Sequence, residues 1–550
     1  MRQEIEKRCP FAIISHPDAG KTTLTEQILW YGNVIRETGK VKSKQGKFAT
    51  SDWMDLEKER GISVSSTVLS FEYKHRLMHL LDTPGHKDFS EDTYRTLTAV
   101  ESALMAIDAA KGVEAQTIKL MEVCRLRQTP IVSFINKMDR DSLSPLALLE
   151  QIEEVLKIQC LPFSWPLKGK GGIFKGVYDL RAKKILPFTK GQSHHEEGEG
   201  EGKGKKEEQT FLEYPDPLKP TQEVLEFLGE EGVKSFQEDW DLLQDTFPEL
   251  ELELFLQGKQ TPVFFGSALY QFGVKEVLSF IADHCPGPSS KKAIDLVTSQ
   301  EVEISPYEEE FSGVVFKIQA NMDPKHRDRI AFIRVCSGSF VKGQKLFSCR
   351  EKKEVRFQSP LFFQARERTV SEESYAGDII GIHDTGKLQI GDTFTEKRPL
   401  KFLGIPHFAP ELFQYVQLLD PLKSKQLDKG LEQLSEEGAV QVFFGIGGRK
   451  ILGAIGALQF EVIKYRLFHE YGVKADYVSC PLQGIRWIIF KPECSLSKQE
   501  EFRKAYGSFL VSDGKKRMVF SYTSPWDLKL AQEKFPQVEF LATAEGLSYG

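Results

Sequence analysis

The sequence lacks the features that mark secreted, zinc-stabilised and membrane-spanning proteins. Its eight cysteines are scattered and never form a C-x-x-C pair, which argues against a structural zinc site and against a disulfide framework. No segment approaches the ~18 apolar residues that cross a membrane, and the opening MRQEIEKRCP carries charges of both signs without an apolar stretch. These absences predict reduced thiols and a cytoplasmic protein.

An excess of positive charge is also missing. The formal net charge is -6, so no global positive field draws the chain to nucleic acid or to an anionic membrane. With 40% apolar and 28% charged residues, the composition is that of a globular protein. At 550 residues and ~150 residues per domain, we expect three or four cores.

The first half of the chain alternates short apolar runs with longer helical stretches. This pattern predicts an α/β domain with a mostly parallel sheet and helices on both faces. The runs are FAIIS (11–15), VLSFEY (68–73), LMHLLD (77–82), ALMAID (103–108), IVSFIN (131–136) and PVFFGSA (262–268). Because ligands bind at the carboxyl ends of the strands in such sheets, polar motifs that follow these runs are expected to meet in one crevice.

An insertion is expected between the fifth and the last of these runs, at about 140–260. It contains a Gly/Glu/Lys tract at 191–209 that cannot bury apolar surface, which predicts a disordered surface loop. His194 and His195 lie in this tract. Without partner ligands nearby, they are better explained as solvated side chains than as a metal site.

The Pro/Gly/Ser-rich segment at 285–292 predicts a domain boundary. Short β-branched and aromatic runs then alternate with Gly and Asp turns, which favours an antiparallel β-barrel, and the last part mixes strand-like and helical runs, as in an α+β domain. The expected limits are 1–285 for the first domain, 286–310 for a linker, 311–398 for the barrel and 399–550 for the α+β domain.

The string Ser15-His16-Pro17-Asp18-Ala19-Gly20-Lys21-Thr22 follows the first run and fits the spacing of a phosphate-binding loop, with Ser15 where glycine is usual. In such a loop the backbone N–H groups face phosphates, Lys21 reaches the β and γ oxygens, and Thr22 ligates Mg²⁺. A glycine-containing turn without a ligand is the alternative. The predicted nucleotide contacts are Ser15, His16, Pro17, Asp18, Ala19, Gly20, Lys21, Thr22 and Thr23.

The string Asp82-Thr83-Pro84-Gly85-His86 follows the third run. There, Asp82 would hold Mg²⁺ through water and the Gly85 N–H would meet the γ-phosphate. Asp-x-x-Gly alone is a common turn, so the motif gains weight only from its agreement with the first loop. All five residues of this string are predicted to line the nucleotide site.

The string Asn136-Lys137-Met138-Asp139 follows the fifth run. A carboxylate such as Asp139 accepts two hydrogen bonds from guanine, whereas adenine has no such donor pair, so the motif selects GTP over ATP. The Lys137 stem can cover the base, and Ser267, Ala268 and Leu269 follow the last run, where a backbone N–H can reach the guanine oxygen. Each string occurs by chance, but the order of all four at strand ends predicts GTP binding.

The segment from Ser51 to Ser63 lies between the first predicted helix and the second strand. It is suited to be ordered by the γ-phosphate and Mg²⁺ and released after hydrolysis, with Ser63 as the second hydroxyl ligand of the metal. The preceding basic stretch at 39–47 fits either an RNA backbone or a solvated loop, and both alternatives stay open.

Arg60-Gly61-Ile62-Ser63 and the string from Asp82 to His86 resemble translational GTPases, the group that contains elongation factors Tu and G. Longer strings narrow the resemblance to the bacterial peptide chain release factor three family. They are SDWMDLEKERGIS (51–63), FKGVYDL (174–180), GVVFKIQANMDPKHRDRIAFIRVCSG (313–338), GAVQVFF (438–444) and GAIGALQFEV, which ends at Val462. The resemblance covers nearly the whole chain outside 191–209, the region near 290–305 and the last residues.

The resemblance implies a ribosome-activated GTPase that promotes dissociation of stop-codon-reading release factors after the peptide has been freed. It also implies a GTPase domain, a β-barrel and a C-terminal α+β domain. The implied partners are the ribosome, through its RNA and proteins, and these release factors. We further expect a monomer that binds neither membranes nor DNA.

The same resemblance makes His86 the catalytic residue that orients the attacking water, and a histidine beside Gly85 is well placed to do so. A surface histidine in a turn is the alternative. Pro17 and Ile62 would be apolar neighbours that restrain His86, and Asp18 would help to bind a monovalent cation. Two positions depart from the elongation factors, since Ser63 replaces threonine and Ser15 replaces glycine, but neither change removes a needed group.

Two other functions remain to be compared with this one. A translocase like elongation factor G is one, although the chain has no length for further ribosome-reaching domains. A GTP-dependent binding scaffold whose hydrolysis is not needed is the other. The basic patch REKKEVR (350–356) fits ribosomal RNA or a solvated barrel face.

Overall fold

The structure is a computed structural model. It describes residues 1–35, 65–189, 211–320, 329–357, 361–364, 367–370, 373–404 and 409–544. The predicted metal ligand Ser63, its neighbour Ile62, the basic stretch at 39–47 and the tract at 191–209 lie outside these residues.

The first domain is built on one seven-stranded sheet. Its strands are β1 (Arg8–Ser15), β2 (Thr67–Tyr73), β3 (Arg76–Asp82), β4 (Ser102–Asp108), β5 (Ile131–Asn136), β6 (Gln159–Pro162) and β11 (Gln260–Phe265). The order across the sheet is β2-β3-β1-β4-β5-β11-β6, and all neighbours are parallel except β2 and β3. This confirms the predicted fold class. The sequence did not reveal β6, because four residues ending in proline do not stand out as a strand.

Helices cover both faces of this sheet, as predicted. They are Arg2–Glu6, Lys21–Tyr31, Ser90–Thr96, Ala115–Leu126, Pro145–Leu156 and Val274–His284. Successive side chains of a strand point to opposite faces. In β1, Ala12 and Ile14 therefore belong to one hydrophobic core, whereas Phe11 and Ile13 belong to the other. A strand buried on both faces has a continuous apolar sequence, which explains why these strands could be recognised.

The insertion forms a small antiparallel sheet covered by a long helix. Its strands are β7 (Ser164–Lys168), β8 (Phe174–Asp179), β9 (Lys184–Pro187) and β10 (Leu212–Glu213), in the order β10-β9-β8-β7. The helices are Gln222–Thr246 and Leu252–Leu256. Trp165 is fully buried under the long helix, and its Nε1 donates to Asp239 Oδ2 at 2.9 Å.

A curled antiparallel sheet follows, in agreement with the predicted barrel class. The strands of this region are β12 (Lys291–Asp295), β13 (Glu301–Ile304), β14 (Ser312–Ala320), β15 (Arg329–Ser337), β16 (Ser339–Val341), β17 (Lys345–Ser348), β18 (Lys353–Arg356), β19 (Leu361–Gln364), β20 (Glu367–Val370), β21 (Glu373–Tyr375), β22 (Ile379–His383), β23 (Thr393–Thr395) and β24 (Leu400–Phe402). Eight of them form the order β18-β17-β23-β14-β15-β22-β19-β20. The segment expected as a linker contains β12 and β13, which pair with each other, and β12 also pairs with β24.

The last part of the chain has one eight-stranded antiparallel sheet, as expected for the predicted α+β class. Its strands are β25 (Leu412–Leu418), β26 (Gln441–Phe444), β27 (Lys450–Ala454), β28 (Ala475–Ser479), β29 (Gly484–Phe490), β30 (Leu510–Asp513), β31 (Met518–Tyr522) and β32 (Val538–Leu541). The order is β28-β25-β27-β26-β30-β31-β29-β32. The helices Ser424–Glu436, Ala457–Tyr471, Leu496–Tyr506 and Pro525–Lys534 supply its cores.

Short 3₁₀ helices occur at Lys87–Phe89, Leu97–Ala99, Lys170–Gly172, Ala268–Tyr270, Pro421–Lys423, Ile446–Gly448 and Gly507–Phe509. The first of them follows directly on His86. Within the ranges that the structure describes, no helix is long and apolar enough to cross a membrane.

Buried ion pairs join the barrel to the first domain. Arg334 Nη2 lies 2.9 Å from Glu101 Oε1, and Arg8 Nε lies 3.0 Å from Asp378 Oδ1. His79 Nε2 lies 2.9 Å from the same Asp378 oxygen. Hydrogen bonds from His79 and the positive charge of Arg8 hold the pKa of Asp378 below its ordinary value, although burial acts in the opposite direction. The interface therefore neutralises the charges that it buries.

A buried lysine of β14 makes a second link to the first domain. Lys317 Nζ donates to Ser65 Oγ at 2.6 Å and also contacts the carbonyl oxygen of Ser66. The same ammonium lies 3.3 Å from Asp92 Oδ2, which in turn accepts from the Ser66 N–H at 2.6 Å. Lys317 thus holds the chain just before β2 and the Ser90–Thr96 helix together.

The barrel packs tightly against the first domain at Gly377. This residue has a φ of +104°, which is a region that residues with a side chain rarely adopt. A Cβ atom placed there would lie 2.4 Å from Pro288 Cγ and 2.8 Å from Arg8 Cβ. The contact therefore requires a residue without a side chain.

The C-terminal domain also makes polar contacts with the first domain. Arg95 Nη2 donates to the Gly438 carbonyl oxygen at 3.3 Å. A cavity of about 380 Å³ opens between the three domains, and its lining includes Arg95, Gln389 and Trp487. Burial raises the pKa of Glu91, which also faces this side, and the nearby Arg95 offsets that effect only in part.

Candidate nucleotide-binding site

The phosphate loop lies between β1 and the Lys21–Tyr31 helix. Asp18 and Gly20 have positive φ angles, +64° and +93°, so the chain turns sharply before the helix begins. A Cβ atom at Gly20 would lie 2.3 Å from Asn136 Nδ2, so only glycine fits this approach. The helix begins with Lys21, and Leu24 N donates to the Gly20 carbonyl oxygen at 2.9 Å. The N–H groups at this end of the helix have no acceptor within it and suit an anion.

Lys21 and Asp82 meet at the carboxyl ends of neighbouring strands. β1 and β3 are paired in parallel, with Ile13 opposite Asp82, and the Lys21 ammonium contacts Asp82 Oδ1 directly. Both side chains are buried. Among the described residues, Asp82 Oδ2 is buried without a hydrogen-bond partner. A buried, unpaired carboxylate oxygen next to a threonine-containing loop fits a hard divalent cation such as Mg²⁺.

The second loop packs against the first. The Thr83 hydroxyl donates to the Ile13 carbonyl oxygen at 2.7 Å, which fixes the chain just after β3. The Cβ position of Gly85 is 3.7 Å from Pro17 Cα, so the loop from Thr83 to His86 lies on the phosphate loop. Ser15, which stands where glycine is usual, is buried, and the structure gives its hydroxyl no partner within the described ranges.

Asn136 connects three loops at once. Its Nδ2 donates to the Ala19 carbonyl oxygen at 2.8 Å, in the phosphate loop. Its Oδ1 accepts from Lys137 N and from Ala268 N, both at 2.8 Å. Ser267 Oγ donates to Asp139 Oδ1 at 2.5 Å, which fixes the carboxylate predicted to bind guanine. The sequence strings at 136–139 and 267–269 therefore lie together, beside the phosphate loop.

Asp108 is a site residue that the sequence analysis missed. Lys137 Nζ donates to Asp108 Oδ2 at 2.7 Å and also contacts the Asp18 carbonyl oxygen, so its stem crosses toward the phosphate loop. Burial acts to raise the pKa of Asp108, but hydrogen bonds from Lys137 and from the Ala110 N–H hold it below its ordinary value. Asp108 ends β4 as Asp82 ends β3, and that placement was the available signal.

His86 lies at the rim of this site. Its side chain is 30% exposed, and its ring centroid is 6.1 Å from that of Phe89. His86 precedes the 3₁₀ helix Lys87–Phe89, and its Nδ1 accepts from Asp88 N at 3.2 Å. The ring is thus held by its own turn and still reaches solvent.

The chain matches three family models. The model described as the GTP binding domain of elongation factor Tu matches residues 6–287, and that of elongation factor G domain 2 matches residues 310–397. A model for the C-terminal domain of class II release factor RF3 matches residues 402–532. Together with the sheet and the four converging loops, these matches define the chain as a translational GTPase, an enzyme that hydrolyses GTP.

A curated relative narrows the family further. The peptide chain release factor 3 of Aromatoleum aromaticum is 50% identical over 544 residues, which is 99% of this chain and 95% of that protein. The chain belongs to the peptide chain release factor 3 family and is a translation termination factor. A release-factor C-terminal domain does not favour the translocase or scaffold alternatives.

A solved structure agrees with the fold. A protein of known structure from Thermus thermophilus aligns with a TM-score of 0.65, over 87% of this chain and 68% of that one. The identity is 23%, so this likeness supports the fold alone. GTPase domains of this type bind their nucleotide with Mg²⁺ in general.

Proposed function

We propose that this GTPase is activated by the ribosome and promotes the dissociation of stop-codon-reading release factors after the peptide has been freed. The observation that carries the proposal is the meeting of the loops at Lys21, Asp82, Asn136 and Asp139 at one edge of the sheet. The name of the relative and the C-terminal match support the step in translation. The partners would be ribosomal RNA and proteins and the bound release factor.

The predicted residues take the following roles in this proposal. Asp139 accepts two hydrogen bonds from guanine, with the Lys137 stem against the base and a backbone N–H of the loop that follows the last strand toward its oxygen. The Lys21 ammonium turns from Asp82 to the β and γ oxygens of the nucleotide. The remaining contacts are made by Ser15, His16, Pro17, Asp18, Ala19, Gly20, Thr22, Thr23, Thr83, Pro84, Gly85, His86, Asn136, Met138, Ser267 and Leu269.

Mg²⁺ would be held by the hydroxyls of Thr22 and Ser63 and, through water, by Asp82. Bound there, it supplies positive charge to the phosphate oxygens. Asp18 would help to hold a monovalent cation. These assignments are supported by the unpaired, buried oxygen of Asp82 beside the first turn of the Lys21–Tyr31 helix.

His86 would orient the attacking water once ribosomal RNA has positioned it. Its place beside Gly85, at the partly exposed rim of the site, supports this role. The segment ending at Ser63 would order around GTP, fix the barrel against the first domain and release it after hydrolysis. Lys317 supports this coupling because it holds Ser65 and Ser66 from the barrel side.

We also propose the domain limits 1–285, 286–310, 311–398 and 399–550, a monomeric state and a cytoplasmic location. The ranges of the three family matches support limits near these positions. Gel filtration of the full chain with light scattering measures its mass. A mass of twice 62.5 kDa would contradict the monomer.

The proposal is tested by GTP hydrolysis without ribosomes, with empty ribosomes, and with termination complexes that carry a bound release factor. Other GTPases turn over at ~10⁻⁴ s⁻¹ unaided and at ~10 s⁻¹ with an activator. We expect a rise of comparable order, largest with the termination complexes, and accompanied by loss of the release factor from them. Equal rates under all three conditions would overturn the proposal.

Two variants separate binding from catalysis. Asp139→Asn should weaken the binding of GTP and allow the binding of xanthosine triphosphate, whose 2-oxo group can accept a hydrogen bond from the new amide. His86→Ala should keep nucleotide affinity and lose ~10²-fold or more of the stimulated rate. Asp283→Asn, at an exposed residue far from these loops, is the matched control. A scaffold would still displace release factors with His86→Ala.

A further inference from the structure

The 3₁₀ helix Lys87–Phe89 joins His86 to the C-terminal domain through one buried carboxylate. Asp88 is 5% exposed, and its Oδ2 accepts from Leu458 N at 2.8 Å. Leu458 lies in the first turn of the Ala457–Tyr471 helix. The helix is preceded by Gly456, which has no side chain that could cap it.

Asp88 takes the place of the missing cap. A Cβ atom at Gly456 would lie 1.9 Å from Asp88 Cγ, so the glycine leaves the space that the carboxylate fills. A carboxylate is favoured at the amino end of a helix, because the first N–H groups there have no partner within the helix. The amino end of this helix of the C-terminal domain is therefore capped by a residue of the GTPase domain, which lies two positions after His86.

The same residue controls the ring of His86. The Asp88 N–H donates to His86 Nδ1 at 3.2 Å, and Asp88 Oδ1 lies 3.5 Å from that nitrogen. A backbone N–H can only donate, so Nδ1 accepts, and a neutral ring must carry its proton on Nε2. In this tautomer Nε2 cannot accept a hydrogen bond from water.

We propose that Asp88 is a positioning residue for His86. Docking of the Ala457–Tyr471 helix keeps the His86 ring in the tautomer whose Nε2 cannot accept a hydrogen bond from water. When the helix withdraws, the carboxylate loses the Leu458 N–H and becomes the acceptor for a proton on His86 Nδ1. The ring gains that proton from solvent and returns the Nε2 proton to solvent, so its charge does not change. Nε2 then accepts a hydrogen bond from the attacking water. This inference rests on the proposed role of His86.

The docking contact is small enough to be reversible. Next to Asp88, Phe89 packs on Val462, with Leu458 and Tyr465 at the edge of the cluster. These few apolar side chains form a separate cluster and do not belong to either domain's main core. The C-terminal domain can move away together with this helix without opening the interior of either domain.

The test compares full-length variants in GTP hydrolysis, with and without ribosomes. Asp88→Asn keeps an oxygen for the Leu458 N–H but removes the charge that would hold Nδ1–H. We expect it to lower the ribosome-stimulated kcat by about 10–100-fold, the range known for carboxylates that orient metal-bound histidines, with KM for GTP unchanged. Asp283→Asn should keep both constants. A role limited to capping would leave kcat intact.

Undocking variants test the restraint. Val462→Asp breaks the apolar contact, and Gly456→Ala, whose methyl group displaces the carboxylate, serves as a second route to the same state. Each should raise the rate without ribosomes several-fold, and adding Asp88→Asn should remove that rise. An unchanged unstimulated rate in both variants would overturn the restraint, and wild-type kcat in Asp88→Asn would overturn the positioning role. Retained stimulation in His86→Ala would instead refute the role of His86, whereas equal wild-type rates with and without ribosomes would refute the proposed function.

Discussion

Glu91 and Asp92 are neighbours on one helix of the GTPase domain, but they face different domains and differ in the direction of their pKa shifts. Burial raises the pKa of both, but Lys317 of the barrel, together with Arg95 and Ser66, brings that of Asp92 below its ordinary value. At Glu91, which lines the cavity beside the C-terminal domain, Arg95 does not outweigh burial, and the pKa stays raised.

The difference between the two acids extends to the two interfaces. On the barrel side Glu101 and Asp378 also have lowered pKa values. The effect of burial is outweighed by Lys291 and Arg334 at Glu101, and by the His79 hydrogen bond together with Arg8 at Asp378. Beside the same cavity, where the C-terminal domain faces the barrel, burial raises the pKa of Glu436 even though Arg329 of the barrel lies 2.9 Å away. A buried charge with full compensation holds its surroundings in place, whereas an undercompensated one favours separation. The barrel should therefore leave the GTPase domain less readily than the C-terminal domain does.

The largest expected effect is at the centre of the barrel interface. Asp378→Ala leaves Arg8 and His79 buried without their carboxylate, so the free energy of unfolding should fall by about 3–5 kcal/mol in urea denaturation. Asp283→Ala breaks a pair with Lys74 whose side chains are nearly half exposed, and it should cost under about 1 kcal/mol. Equal costs for both variants would show that the buried network is not what holds the barrel.

A smaller loss is expected at Lys317. Lys317→Met removes the ammonium that contacts Ser65, Ser66 and Asp92, and should cost about 1.5–3 kcal/mol, the range for hydrogen bonds to charged groups. The second change, Asp92→Asn, should cost less in Lys317→Met than in the wild type. Strict additivity of the two changes in urea denaturation would contradict a direct coupling.

At the cavity, removing a charge is expected to leave the free energy of unfolding unchanged or to raise it. Glu91→Gln removes a charge whose burial is undercompensated, so at pH 7 it should leave the free energy of unfolding unchanged or raise it by up to about 1 kcal/mol. The gain should shrink as the pH falls, because Glu91 then becomes neutral in the wild type as well. A loss of stability at pH 7 would show that the charge of Glu91 is compensated, as are those of the acids at the barrel interface.

The free energy of unfolding should depend least on pH near neutrality. In acid, its pH dependence should distinguish the acids of the barrel interface from those beside the cavity. Asp92, Glu101 and Asp378 have lowered folded pKa values, so their contribution is present above the ordinary carboxylate range near pH 4 and is lost as the pH falls through the lower folded values. Asp378→Asn should therefore flatten the decline of the unfolding free energy below pH 4. An unchanged slope in denaturation series at several pH values would contradict this.

The meeting of these loops at one edge of the sheet was predictable because its signals are local. Lys21, Asp82 and Asn136 each follow a buried apolar run, and parallel strands bring their carboxyl ends to one edge, so geometry added little to the list. Asp108 obeys the same rule. It was overlooked because no recognisable string surrounds it, although its carboxylate holds Lys137.

The contacts between domains had no such signal. Asp88 and Leu458 are 370 positions apart, and the Ala457–Tyr471 helix begins after a glycine that gives no capping cue of its own. Sequence rules for helix ends assume a cap from the same segment, whereas here it comes from another domain. The short strand β12 was hidden for a related reason, since one of its two partners, β24, lies about a hundred positions further along the chain.

Gly377 limits how the barrel can be oriented against the first domain. Because a hydrogen atom is all that stands between the barrel backbone and the Pro288 ring, the gap there has no slack. A methyl group at this point would push the barrel away from Pro288 and Arg8, and a small rotation caused there displaces atoms further as the distance along the barrel increases. A mutation at Gly377 should therefore change the angle between the first domain and the barrel while both domains stay folded. The largest displacement should then lie far from the residue itself.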